Sequence, residues 1–186
     1  MTVASLVVDS GPPASLWRTL KIARPGARRL ALALDYRHAH LRPGTKIIAE
    51  GPYGAFTPSL SGRRVLMIAG GVGITPIRAM FAALPKRASE GITLIYRASH
   101  PREIVFRQEL DAIAADRKAT LHYIIGSRTE LGYDPLAPEE LADLVPGLHR
   151  YEAYVCGPNG MTEAAVESLR ALGVKRRHIH HETFDF

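Results

Sequence analysis

The stretch VLMIAGGVGITP, residues 65–76, decides the fold. Val65-Leu66-Met67-Ile68-Ala69 is an unbroken apolar run, which reads as a strand buried on both faces. Gly70-Gly71-Val72-Gly73-Ile74-Thr75-Pro76 follows at once, and a helix pattern runs from Pro76 to Leu84. Proline suits the first helical turn, where a missing N–H costs little. Glycines between a strand and a helix let backbone N–H groups approach an anion, and the helix adds its positive end. This is neither a Walker loop nor the GxGxxG spacing. A tight turn with close helix–sheet packing would read the same way.

Outward from that stretch, short apolar runs alternate with helix patterns. Strands are expected at Ile92–Tyr96, Leu121–Ile125, Tyr151–Cys156 and His178–Phe184. Helices are expected at Arg102–Ala115, Pro138–Leu144 and Met161–Leu172, the last stopped by Gly173. In the first of these Val105, Leu110, Ile113 and Ala114 form the inward stripe. The alternation predicts an α/β domain over residues 58–186, a parallel sheet with helices on both faces. Ligands of such sheets bind beyond the carboxyl ends of the strands. Residues 1–57 read differently. Short β-like pieces between Gly/Pro turns, without a helix pattern, predict a small partial antiparallel barrel.

The chain has 186 residues, a formal charge of +6 and one cysteine, Cys156. The single cysteine excludes an intramolecular disulfide and a Cys-ligated cluster built by this chain alone. It also points to a reducing, cytoplasmic compartment. No apolar run suggests a membrane span or a signal peptide. The positive charge concentrates in residues 1–57, whereas residues 58–186 are almost balanced. That is not the pattern of a nucleic-acid binder. It fits a solvated basic face or a phosphate-rich ligand.

Three further motifs sit where ligands are expected. Cys156-Gly157-Pro158-Asn159-Gly160-Met161 ends the fourth strand of the α/β part, and its glycines leave room for a flat ligand. Gly51-Pro52-Tyr53-Gly54-Ala55-Phe56-Thr57 reads as a turn that either approaches a ligand or simply joins the two parts. In the terminal run, His178, His180, Glu182, Phe184 and Phe186 share one side at period two. Its aromatics suit stacking on a planar ring. A zinc site from His178, His180 and His181 lacks a fourth ligand and a metal-binding spacing, so no metal is expected.

The order GPYGAF, GGVGITP, CGPNGM and a terminal ExFxF resembles the ferredoxin–NADP reductase superfamily, in particular its ferric-reductase-like branch. The resemblance implies a flavin-binding barrel followed by a nucleotide-binding sheet of strand order 3-2-1-4-5. It implies an NAD(P)H oxidoreductase that passes hydride to FAD or FMN, and electrons onward to haem, ferric iron or another acceptor. The acceptor could be a membrane haem protein, which would hold the chain at the inner face of a membrane. Gly70, Gly71, Val72, Gly73, Ile74, Thr75 and Pro76 then correspond to the pyrophosphate loop. Cys156, with Gly157 and Pro158, corresponds to the segment beside the nicotinamide, and Met161 supports it. Cys156 and Glu182 take the catalytic positions. Phe184 and Phe186 lie near the flavin, and Gly51, Pro52, Gly54 and Phe56 end the flavin domain. Ser127-Arg128 resembles the pair that holds a 2′-phosphate. With Arg97, and no acid after the second strand, it favours NADP over NAD. The family's Arg-x-Tyr/Phe-Ser flavin motif has no counterpart in this sequence. A barrel of residues 1–57 would be half the usual size, as if the sequence began inside a longer protein. The alternative is a non-catalytic module that binds a nucleotide or a partner without flavin.

Overall fold

A computed structural model describes residue 56, residues 63–84 and residues 91–184. Phe56–Phe184 forms one compact unit. The barrel expected over residues 1–57 lies outside the described residues, Phe56 excepted. So do Gly51, Pro52, Gly54 and Phe186.

Five parallel strands form one sheet: β1 (Arg64–Gly70), β2 (Ile92–Ala98), β3 (Thr120–Ile125), β4 (Tyr151–Pro158) and β5 (Ile179–Phe184). Their order is β3-β2-β1-β4-β5, as the family resemblance implies. The central strand β1 is buried from Val65 to Gly70. Its side chains alternate between two cores, which is why it shows no polar face in sequence. Val65, Met67 and Ala69 face one core, covered by helices α1 (Ile74–Ala83) and α2 (Arg107–Arg117). Leu66 and Ile68 face the other, covered by α4 (Pro138–Leu144) and α5 (Asn159–Ala171). A one-turn helix, α3 (Arg128–Leu131), stands after β3 and had no sequence expectation.

Two expectations need correction. The helix expected from Arg102 begins at Arg107, and Pro101–Glu103 is a separate 3-10 turn. Val105, expected to face inward, is 46% exposed. The cause is the buried Tyr96 hydroxyl, which donates to the Glu103 carbonyl at 3.0 Å and accepts from the Val105 N–H at 3.4 Å. Glu103 closes the turn by accepting from the N–H groups of Ser99 and His100. Phe106 then enters α2 at φ +59. Leu110 and Ala114 are buried in the α1–α2 core as expected, and Ile113 packs against it. The last strand begins at Ile179, and His178 belongs to a 3-10 turn.

Edge strand β5 is clasped to β4 by one carboxylate. Glu152 is 3% exposed. Its Oε1 accepts from His180 Nε2 at 2.6 Å and its Oε2 from His178 Nδ1 at 2.9 Å. Arg63 Nε stands 3.9 Å away. The His180 ring stacks on Tyr154 at 4.8 Å, and Phe56 meets Tyr154 edge-on at 5.8 Å. Burial pushes the Glu152 carboxyl up, but the hydrogen bonds from His180 and His178 outweigh it and hold the group below its ordinary value.

Two outcomes follow from these contacts. Tyr96→Phe leaves the Glu103 carbonyl and the Val105 N–H unpaired. It should cost about 1–3 kcal/mol in denaturant unfolding and speed amide exchange at Val105. Glu152→Gln should cost about 2–3 kcal/mol at neutral pH. Because Glu152 titrates lower when folded than unfolded, its contribution is complete above the ordinary carboxylate range and lost as pH falls through the folded value. Stability curves of the wild type and Glu152→Gln should therefore converge in acid, and parallel curves would contradict this account.

Candidate functional site

The site forms where β1 and β4 end side by side, in the register Ala69↔Cys156. After β1 the chain makes a 3-10 turn, Gly71–Gly73, and enters α1. After β4 it turns through Pro158 into α5. The two turns touch backbone to backbone. A Cβ on Gly73 would overlap the Cys156 carbonyl, and one on Gly70 would overlap the Met161 thioether. A Cβ on Gly157 would lie 2.5 Å from Met161 Cε and 3.2 Å from the Gly70 N and O atoms. Gly71 adopts φ +53 with open space beside it. The sequence needs glycine at Gly70, Gly73 and Gly157 for close approach, and at Gly71 for the positive φ.

Neither helix that starts here has a side-chain cap or an acidic residue in its first turn. The Ile74 N–H is taken by the Gly71 and Val72 carbonyls of the 3-10 turn, and the positive ends of the two helices meet over a glycine-rich stretch of backbone. Such a surface suits a phosphate or pyrophosphate. Pro76 stands in the first turn of α1, where no intrahelical N–H bond is lost. Val72 stands 43% exposed on the loop.

Cys156 is fully buried on the α1–α2 face. A buried thiol behaves as a small apolar group and shapes the turn. Its register partner is Glu182, and Pro158 pairs with Phe184. Phe184 and Phe56 both pack against the same core as Cys156. Glu182 Oε2 is shielded from solvent. The structure thus brings Cys156, Gly157, Pro158, Met161, Glu182 and Phe184 to the carboxyl end of β4 and β5, beside the Gly70–Pro76 loop.

Of the residues expected to read a 2′-phosphate, Arg97 lies on the neighbouring strand β2, and Ser127 and Arg128 follow β3, two strands from β1. Arg97 is next to Gly70 in register, but its guanidinium is spent on the sheet. It donates to the Ile124 carbonyl at 3.0 Å and the Gly126 carbonyl at 2.9 Å. Ser127 caps α3: its Oγ accepts from the Glu130 N–H, and the Glu130 carboxylate accepts from the Ser127 N–H at 2.6 Å. Arg128 is exposed and pairs with Asp134 at 3.0 Å. Tyr133, 44% exposed, and Asp134 were not singled out in sequence, because α3 and Gly132 at φ +75 bring them back beside Arg128. An aromatic followed by an acid, six residues after the Ser-Arg pair, was the available signal.

The three C-terminal histidines do not converge. His178 and His180 bind Glu152, whereas His181 lies on the opposite face of β5 in a groove with Val166 and Arg170. Among the described residues no group of three His, Cys, Asp or Glu side chains is placed to hold a metal ion. Among them also, no helix is long and apolar enough to cross a membrane.

Comparison with known proteins agrees with this geometry. The family model described as the oxidoreductase NAD-binding domain matches residues 67–167. The flavohemoprotein of Vibrio cholerae is 31% identical over 160 residues, covering 86% of this chain and 40% of that protein. Ferredoxin–NADP reductase B of Sorangium cellulosum is 32% identical over 163 residues, covering 81% of this chain and 66% of that protein. The chain thus spans less than two thirds of either relative. The crystal structure of the flavohem-like FAD/NAD-binding domain of nitric oxide dioxygenase from Vibrio cholerae superposes with a TM-score of 0.69 at 27% identity. It covers 81% of this chain and 63% of that one. The family model matches more than half of a chain whose sheet is ordered β3-β2-β1-β4-β5 with glycine turns at the ends of β1 and β4, and the chain belongs to the oxidoreductase NAD-binding domain family of the ferredoxin–NADP reductase superfamily.

Proposed function

We propose that this chain is the nicotinamide-nucleotide-binding part of a flavin oxidoreductase. Hydride passes from NAD(P)H to FAD or FMN, and electrons go onward to haem, ferric iron or another acceptor. The observation that carries the reading is the pair of uncapped helix ends meeting over glycine backbone at the ends of β1 and β4. The backbone of Gly70–Thr75 holds the pyrophosphate. Gly157 and Pro158 give the nicotinamide a flat bed, and Met161 holds both turns apart at a fixed width. Cys156 and Glu182, paired across β4 and β5, and Phe184 behind them define where the two rings meet. The protein's part is positioning. A bound coenzyme would supply the hydride, and a bound flavin would pass its two electrons on singly and release the proton.

The residues also suggest how the coenzyme is chosen. Ser127 and Arg128 receive the 2′-phosphate of NADPH, and Tyr133 offers its ring to the adenine. Asp134 competes with the phosphate for Arg128. Arg97 acts at one remove, by fixing the carbonyls that lead into Ser127.

Three measurements test these points. Calorimetry on the purified chain should show saturable NADPH binding. Addition of FAD or FMN should then support NADPH-driven dye reduction. Coenzyme binding without any flavin-dependent turnover would favour the non-catalytic module. Gly73→Ala forces the two turns apart. It should weaken coenzyme binding tenfold or more, about 1.4 kcal/mol, in the same titration. Asp134→Asn should tighten NADPH binding about tenfold while leaving NADH unchanged. An equal change for both coenzymes would remove Asp134 from the selection.

A further inference from the structure

On the other face of the sheet, a groove of about 330 Å³ runs between α5 and edge strand β5. Val166 and Ile179 form its apolar floor, and Arg170, Arg176 and His181 line it. All three of these polar residues are exposed. The two arginines are unusual in this unit. Nearly every other described arginine is engaged. Arg97 and Arg117 bond carbonyls, Arg128 pairs with Asp134, and Arg64 and Arg107 lie over tyrosine rings. Among the described residues the side chains of Arg170, Arg176 and His181 make neither a hydrogen bond nor an ion pair. Folding therefore places two like charges and a histidine around one concavity without a counter-ion among the described residues.

We propose that this groove is a second, anion-binding site, for a phosphate or carboxylate carried on a compact apolar body. Guanidinium groups hold such anions by paired N–H donors, which accounts for two arginines and not two lysines. Val166 and Ile179 take the apolar body. The volume lies at the lower end of the range for small-molecule sites, which limits the ligand to about one ring or a short chain. The groove is independent of the coenzyme site. His181 and Glu182 are consecutive on β5, and their side chains leave on opposite faces of the sheet.

The test uses the full chain with phenyl phosphate, benzoate and inorganic phosphate as probes, and AMP as a reference for the coenzyme cleft. Phenyl phosphate or benzoate should bind saturably and shift the amide resonances of Ile179 and His181. Which of the two binds tighter identifies the anionic group. Arg170→Gln with Arg176→Gln should weaken that binding at least tenfold and leave AMP binding unchanged. Both residues are exposed, so the fold is not at stake, and an unchanged AMP titration verifies it. The proposal is overturned if neither organic anion saturates, if the double variant binds as well as the wild type, or if the shifts fall on Gly71–Thr75. Failure of AMP alone, with phenyl phosphate still bound in the groove, would instead count against the nucleotide reading and leave this site standing.

Discussion

The backbone of Gly73 lies against the carbonyl of Cys156, with no room for a side chain between them. The carboxyl ends of β1 and β4 could not otherwise carry two helices that start side by side. A methyl group at Gly73 would push the first turn of α1 off β4, and one at Gly157 would press on Met161 and on the Gly70 backbone. The close approach leaves a patch of peptide groups at the head of two helices. Neither helix spends a side chain or an acid to satisfy it. Among the described helices of seven residues or more, these two are the ones without an acidic residue in the first turn, so the positive ends of their dipoles are left without a side-chain anion.

The polar side chains around the sheet divide their work by where they sit along the strands. Glu152, near the start of β4, is consumed by His178 and His180 and ties the edge strand to the sheet. Tyr96, near the end of β2, is consumed by the turn that precedes α2. Arg97 is consumed by the end of β3. Of these only Arg97 reads in sequence as a ligand-binding group, and each of the three spends its capacity on backbone or on a neighbour. Arg128 with Asp134 and the pair Arg170 and Arg176 differ because they keep their charge at the surface. The first pair stands after β3, and the second lines the α5–β5 groove.

The histidine run shows why spacing alone misleads. His178, His180 and His181 crowd together in the chain, yet an extended strand sends alternate side chains to opposite faces. The pair on one face finds a carboxylate supplied by β4 in the parallel register Tyr154↔His180. Nothing in the run itself announces Glu152, which is 26 residues from His178.

The sequence by itself determined the architecture and the places where its backbones touch. Buried parallel strands need continuous apolar runs, glycines are required where backbones touch, and a proline in a first helical turn marks a start. All three are local rules, written in residues 65–76 and 156–161. The tertiary structure alone decided which side chains remain available. Arg97 was legible as a cation but not as a clasp, because its acceptors are the Ile124 carbonyl of β3 and the Gly126 carbonyl just after it. Val105 read as part of a helix stripe because the hydroxyl that holds it out of the helix comes from Tyr96, in the preceding strand. Arg170, Arg176 and His181 share a groove only because Gly173 at φ +82 turns the chain back along α5. Hydrogen-bond partners and shared concavities are matters of which distant strands lie side by side. That is fixed by packing the whole sheet and leaves no mark on the order of neighbouring residues.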